Sequence, residues 1–531
     1  SGDSIERFTA MEKSVESGDQ PKRVTLEDAL ALTKFGTFNY LAIVIAGMII
    51  TAVMLETLSI SFVIAVAECD LNLTTEQKGI LGAVALVGII VSSHLWGFLA
   101  DTQGRRKVII PTMLAGFGVS FVSSFTTDFA TITACRFLTG FLVCGGSATI
   151  YAYLGEFHND KDRSRAIMAA SFVFGIGCVL LPGLAWVVLD HSWEFTVPVL
   201  NIVYRPWRLF LVICGLPGLI GAFALLRFPE TPKFVLNKGD PERALETIQW
   251  MHRMNVGTKE PALQIELILE GEAMQKPDDA SGDPKKLKAL LKLIWNQTAP
   301  LFMPPYLSKT LLVCFLQFGS YVTAHGMYFF FPGVLDKLIR SQDAGVELTT
   351  LCQVVYSSQI TNTTLELQTE CTQSLTEATY GYSFILDVIY MLGFAVMGVI
   401  VNAVGRLTIL VFVFTTCGIC GVLTIFIEVP LASMWLYMVM LLCSFSVSVV
   451  SAVTVDLFPT NLRAMALGIS TMCGRIGGVF GTNLNGLLLD SHCELTFGIA
   501  SVVLLLCSVL SFFIPNINRK LSEPRPSVGS R

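Results

Sequence analysis

Glu56, Arg136, Asp387 and Arg475 each interrupt a run of otherwise apolar residues. Charge in such a place is costly, so each must be paired, hydrogen-bonded or put to use. An acid and a base so placed have two chemistries open to them. They can neutralise one another as a structural ion pair. Alternatively, the acid takes a proton or a cation and the base sets how tightly it is held. Glu56 lies roughly 15 Å inside one end of its run and Arg136 roughly 8 Å inside its own, at about 1.5 Å per residue. Their side chains can bridge that difference. Asp387 and Arg475 make a second acid and base. Arg475 stands in "CGRIGGVFG", whose glycines let helices approach closely. Its guanidinium either binds an anionic group of a solute or neutralises Asp387.

His325, in "TAHGMYFFF", can bind a solute or titrate, although a lone histidine in an apolar run is more often a packing residue. His94 is a weaker case of the same kind. The run around His325 is crowded with rings, of which Tyr321 is the candidate to face a cavity, with Phe174 opposite. Rings together with acids suit an organic cation, through charge and cation–π attraction. A sugar would call for several amides, and Gln317 is nearly alone. There is no Walker loop, metal cluster or nucleophile elbow, so neither an enzyme nor a cofactor or metal is expected.

These residues need elements that hold them in an apolar medium. Of the 531 residues 53% are hydrophobic and 15% charged, against about 25% charged in soluble domains. A net charge of −5 without a basic, ring-studded face excludes nucleic acid as a partner. A bilayer core about 30 Å thick needs about 20 apolar helical residues. Twelve runs qualify, near 37–66, 77–99, 108–126, 131–154, 166–189, 208–226, 309–331, 380–402, 407–427, 433–455, 464–488 and 495–514. No period-two alternation persists, so helices are expected rather than barrel strands. An all-α polytopic membrane protein follows, with both termini on one side.

Lys and Arg crowd that side. Apart from Arg136 and Arg475, the other side holds just Lys78, Arg205, Arg208, Lys337 and Arg340 of the 36. The basic side is therefore expected to be cytoplasmic. The expected organisation is a tail at 1–36, a six-helix half at 37–226, a linker at 227–308, a second half at 309–514 and a tail at 515–531, with an outer loop at 333–379. The polar first tail lacks the apolar core of a cleaved signal, so the first span is expected to direct its own insertion. In the linker, Asp240–Pro241–Glu242 and Asp283–Pro284 are helix starts, and amphipathic helices along the inner face are expected.

The halves repeat. "GFLADTQGRRK" follows the second run, and Gly97, Asp101, Gly104 and Arg105 return at one constant offset as Gly398, Asn402, Gly405 and Arg406. "EFHNDKDR", from Glu156 to Arg163, is matched by "DLFPTNLR", from Asp456 to Arg463. Two motifs at equivalent loops indicate duplication. Gly104 suits a tight turn that a Cβ would obstruct. Charges on these loops are expected to act as a gate, pairing when the inner ends close.

Twelve spans in two parallel halves joined by a long loop resemble the major facilitator superfamily, in which the halves rock about a midplane site. "GFLADTQGR" resembles its signature between spans 2 and 3, and "RFLTGFLVCGG" its span-4 motif. "FPETPKF", containing Glu230, is similar to the motif after span 6 in sugar porters, organic ion transporters and the synaptic vesicle glycoprotein 2 group. That last group is most similar, through "MLETLSISFVIAVAECD" and "LWGFLADTQGRRK". The chain departs from it in lacking a long outer domain between spans 7 and 8. It also carries Val447 and Ser451 where Trp and Asp are expected in span 10, while keeping an aromatic at Phe174. The resemblance adds Glu230 to the gate set. It also likens Glu56 and Arg136 to the coupling pair of proton-linked sugar porters.

In the outer loop, Cys352 and Cys371 bracket Asn362, the expected glycan site, and a disulfide between them is expected. Cys69 and Cys493 are outer too and are a further possible pair. The leading reading is a monomeric alternating-access transporter of a small organic solute, a cation slightly favoured, with protons as a candidate coupling ion. It would reside in a plasma or vesicle membrane. A non-transporting receptor or trafficking protein and a sugar porter are the alternatives.

Overall fold

The computed structural model describes residues 22–68, 70–198, 202–257, 263, 265–267, 298–343, 350–356 and 374–514. Each apolar run becomes a helix that starts and stops at local signals. Span 1 is Thr37–Leu58 continued by Ile60–Ala67, with Ser59 between. Span 2 is Thr75–Gln103, and its first turn is closed where Thr74 and Gln77 cap one another. Spans 3 to 6 are Arg105–Ser123, Phe129–Gly155, Asp160–Leu189 and Pro206–Leu225. Span 7 is Leu307–Asp343, longer than expected by the turns that follow Phe331. Spans 8 and 9 are Glu377–Val404 and Arg406–Phe426. Span 10 is Pro430–Leu441 and Phe445–Leu457, joined by a 3-10 turn. Spans 11 and 12 are Thr460–Leu488 and Cys493–Ser511.

Ten of these are long and apolar enough to cross a membrane by composition alone. Spans 7 and 11 carry more polar residues, span 11 is also rich in glycine, and the two pack on one another. A Cβ at Gly477 would lie 2.4 Å from the Phe318 carbonyl oxygen, and one at Gly481 2.3 Å from that of Val322. Both repeated turn glycines have positive φ, 114° at Gly104 and 92° at Gly405. Both take the conformation for which glycine has no steric penalty.

The halves meet along spans 2 and 11 and along spans 5 and 8. On the face opposite the termini they share one apolar core. Leu55 to Ala67, Leu181 to Leu189 and Trp207 join it from the first half, and Met327 to Ile339 and Tyr380 from the second. Towards the basic face, which carries residues 22 and 514, Phe38, Ile43, Ile109, Ile150 and Tyr153 form a core of first-half residues alone. The contrast is clearest on spans 2 and 11. At the opposite face a Cβ on Gly486 would lie 2.7 Å from the Gly79 Cα. Nearer the basic face, a Cβ on Gly97 or Gly468 would meet nothing within 4 Å. The closest approach of the two halves is on the side away from the basic face.

On the basic face the described part of the first tail is folded. β1 (Lys22–Val24) pairs in parallel with β4 (Ile265–Leu267) of the linker. Helix Leu26–Leu32 is capped by Thr25, which accepts from the Asp28 N–H at 3.2 Å. The linker contributes helices Pro232–Asn237 and Pro241–Val256, the second capped by Asp240 as expected. Val24, Ala29, Val235, Leu236, Ala244 and Ile248 form a small core between them. Asn255 donates to the Thr33 and Lys34 carbonyls and accepts from the Phe38 N–H, pinning the linker helix to the start of span 1. On the opposite face, β2 (Phe195–Val197) and β3 (Ile202–Tyr204) form an antiparallel pair between spans 5 and 6. Asp283–Pro284, Asn362, Cys69, Cys371 and the tail from 515 lie outside the described residues.

Candidate functional site

Glu56 and Arg136 come together as their depths foretell. Arg136 Nη1 meets Glu56 Oε2 at 3.2 Å, and the residues are 1% and 3% exposed. Two serines of span 3, for which no motif offered a cue, complete the cluster. Ser120 donates to Glu56 Oε2 at 2.9 Å, while Arg136 Nη2 donates to Ser120 at 3.0 Å and to Ser123 at 2.8 Å. Gly215 of span 6 closes the far side, where a Cβ would lie 2.6 Å from Glu56 Oε1. The pair is thus enclosed by spans 1, 3, 4 and 6 of one half. Phe174 packs against the basic-side core of the same half.

Asp387 and Arg475 do not pair. Asp387 is 2% exposed, and both its oxygens accept from the Tyr328 hydroxyl, at 3.1 and 3.3 Å. No ion pair joins it to another described residue. Arg475 sits beside Tyr321 and His325 of span 7 and beside Cys144 of span 4, close enough to act on each electrostatically. No hydrogen bond or ion pair holds its guanidinium to another described residue. Tyr321 and His325 stack with ring centroids 4.9 Å apart and planes at 7°. Both rings and Arg475 are half-buried. Gln317, one turn nearer the basic face, donates to Ser451 at 3.4 Å, and its buried Oε1 has no partner. The junction between the halves therefore presents an unpaired cation flanked by stacked rings. His94 lies on the exposed side of span 2, next to Ser93.

The gate residues pair within their own halves. Arg105 meets Asp101 at 2.9 Å and Glu156 at 3.1 Å, with its guanidinium over the Phe234 ring. Glu230 accepts from the Arg106 N–H at 3.2 Å, and a Cβ on Gly104 would strike its other oxygen. Thr231 donates to Glu156 at 2.6 Å. In the second half Arg406 pairs with Asp456 and donates to the Ala452 carbonyl at 2.9 Å. Arg163 takes Asp160 at 2.7 Å and Glu27 of the tail helix at 2.9 Å, a partner the sequence did not suggest. Arg463 has a buried Nε with no partner. Among the described residues no gate pair crosses between halves.

A polar link does cross at the closed face. Asp490, after span 11, accepts from Thr75 at the start of span 2 and meets Lys337 of span 7 at 3.3 Å. Burial pushes the Asp490 carboxyl up, but Lys337, the Thr75 hydroxyl and Lys78 outweigh it and hold it below the ordinary carboxylate value. The expected disulfides are corrected. Cys352 bonds to Cys493 rather than to Cys371, which also removes Cys493 as a partner for Cys69. The helical residues 351–356 bring Cys352 to the start of span 12, a fold-back that spacing alone does not reveal.

The Major Facilitator Superfamily family model matches residues 35–450 and again 348–530. Synaptic vesicle glycoprotein 2B of Homo sapiens is 24% identical over 312 residues, 56% of this chain and 46% of that protein. Synaptic vesicle glycoprotein 2A of Rattus norvegicus is 25% identical over 315 residues, 57% of this chain and 42% of that protein. The aligned part thus spans about half the length of these relatives. Among solved structures, the partially occluded inward open conformation of the xylose transporter XylE from E. coli superposes with a TM-score of 0.62 at 13% identity, covering 90% of this chain and 100% of that one. The inward open conformation of the same transporter gives 0.61 at 15% identity, covering 90% and 96%.

Proposed function

Because the chain belongs to the major facilitator superfamily, we propose that it is a secondary transporter of a small organic ion, working by alternating access and held here with its cavity open to the cytoplasmic side. One observation carries this reading. Spans 2 and 11 touch backbone to backbone at Gly79 and Gly486, whereas towards the basic face a Cβ on Gly97 or on Gly468 would meet open space. Such a wedge is one of the two states that rocking halves alternate between. The cation density of the termini and loops assigns the open side to the cytoplasm. Membership of a transporter superfamily also argues against an enzyme.

The charge of the solute follows from which charged groups are free. A preference for a cation rested on rings together with acids, and of those acids Glu56 is occupied by Arg136 at 3.2 Å and Asp387 by the Tyr328 hydroxyl at 3.1 Å. The group left to meet a solute from the cavity is Arg475, with the Tyr321–His325 stack beside it. We assign it an anionic group, held by a planar guanidinium that suits a carboxylate. Gln317 and Ser451 supply a polar floor. Kinship with the vesicle glycoproteins favours residence in a vesicle or plasma membrane.

The test is uptake into proteoliposomes from a mixture of organic anions, organic cations and sugars, read by mass spectrometry, with Arg475→Gln alongside. Uptake of a carboxylate that is lost in R475Q supports the reading. Uptake of a cation or a sugar that ignores R475Q overturns the anionic assignment. No uptake by well-folded protein favours a receptor or trafficking role.

A further inference from the structure

We infer that the coupling proton of this transporter is carried by Asp387 in the second half, reached from the cavity past His325 and Tyr328, and not by the Glu56–Arg136 pair. The inference rests on the transport reading above and adds to it the site of the coupling ion.

Two buried acids are in a position to carry a proton. Glu56 has Arg136 at 3.2 Å and the Ser120 hydroxyl at 2.9 Å. A proton arriving on Glu56 would leave Arg136, 1% exposed, as a buried cation with no anion, a state that breaking a buried pair makes strongly unfavourable. Asp387 is as deeply buried, but its contacts are of another kind. The groups that face it are the Tyr328 hydroxyl from span 7, Tyr390 on its own helix, and Cys178 from span 5. Cys178 in turn contacts the Met54 sulfur of span 1 at 3.1 Å. None of these is a cation. A proton on Asp387 leaves no charge stranded. It also leaves the Tyr328 hydroxyl free to accept as well as donate.

Position makes this site suitable for coupling. Asp387 lies where span 8 meets span 5 of the other half, and a Cβ on Gly175 would lie 3.4 Å from Met391 Cγ, one turn along from Asp387. The rocking halves must slide past each other at this contact. Glu56, by contrast, is enclosed within one half.

Access is built on one helix face. Tyr321, His325 and Tyr328 are spaced four and three residues apart, which places them in one stripe of span 7. The first two are half-buried, and the third donates to Asp387. With a solute anion on Arg475 offsetting its charge, a proton from cavity water can enter at one ring nitrogen of His325 as the other releases one, by way of the Tyr328 hydroxyl, to an Asp387 oxygen. Arg475 beside His325 holds the solute anion next to this route. The proton and the anion would then cross together, with no net charge moved.

The test needs no solute. Full-length protein in lipid nanodiscs is followed by infrared difference spectroscopy between alkaline and acidic buffer, where a protonated carboxyl gives its own C=O stretch. The expected result is a band absent from Asp387→Asn, displaced in Asp387→Glu and unchanged in Glu56→Gln. After a pH jump its rise should slow several-fold in His325→Gln. Loss of the band in E56Q with retention in D387N overturns the inference, as does a D387N spectrum identical to the parent's. Should D387N fail to fold, displacement of the band in D387E decides, and an unmoved band overturns the inference. A negative result here leaves the uptake of solutes standing. Failure of every solute in the uptake mixture, with this band present, counts against transport instead.

Discussion

Arg136 reaches Glu56 across the interior of the first six helices, and the remaining carboxylate oxygen of Glu56 looks onto the bare Cα of Gly215. The pair fills a space shaped for it. Removing one partner strands a charge, whereas replacing both with apolar residues of similar volume does not. Arg136→Met is therefore expected to lower unfolding stability by about 3–5 kcal/mol. Glu56→Leu with Arg136→Met together should lower it by less. Thermal unfolding of the three proteins in one detergent checks this. A double variant less stable than R136M would mean that the pair is not the balanced unit described.

Gly486 and Gly79 set how closely spans 2 and 11 approach on the closed face. A Cβ at Gly486 would lie 2.7 Å from backbone, which has no rotamer with which to yield. Gly486→Val should hold that face open. Hydrogen exchange of residues 75–82 should rise against the parent protein, and uptake should fall. Unchanged exchange in G486V would show that the two backbones separate without consequence.

Asp490 ties both halves together on the same face, and its titration has a definite sign. Its carboxyl is held below the ordinary value in the closed state. Its contribution to closure is therefore complete above the ordinary carboxylate range and disappears as pH falls through the depressed value. Acidification that stays above the carboxylate range should leave this link intact. Asp490→Asn should loosen the closed face at neutral pH, by about 1 kcal/mol or less for so partly exposed a pair. Exchange of residues 75–82 against pH, in the parent and in D490N, measures it. A D490N protein that matches the parent at neutral pH removes Asp490 from the closure of that face.

What the sequence revealed depended on which coordinate was asked for. Depth along the membrane normal can be counted in residues, so the positions of the spans, apart from the end of span 7, and the meeting of Glu56 with Arg136 were legible. Rotation about a helix axis cannot be counted in a span that is apolar all round. That is why Asp387 and Arg475 looked like a pair, although one sits under Tyr328 and the other beside His325. The turn glycines were legible because Gly104 and Gly405 recur with the same neighbours and the same backbone need. The Cys352–Cys493 bond was not, since any outer cysteine can reach another through a long loop. Glu27 was missed because it lies in a polar stretch, where its capping residue Thr25 was the one available signal.

The folded tail changes what it means to shorten this protein. Residues 22 to 34 supply a strand to β4, a carboxylate to Arg163 and two carbonyls to Asn255. A reporter fused at residue 35, or a version trimmed to its first span, would not be the same protein with a cleaner end. It would present Arg163 without Glu27 and a linker helix without its clasp. Differences measured between long and short versions of the chain should be read as differences in the gate before they are attributed to expression or sorting.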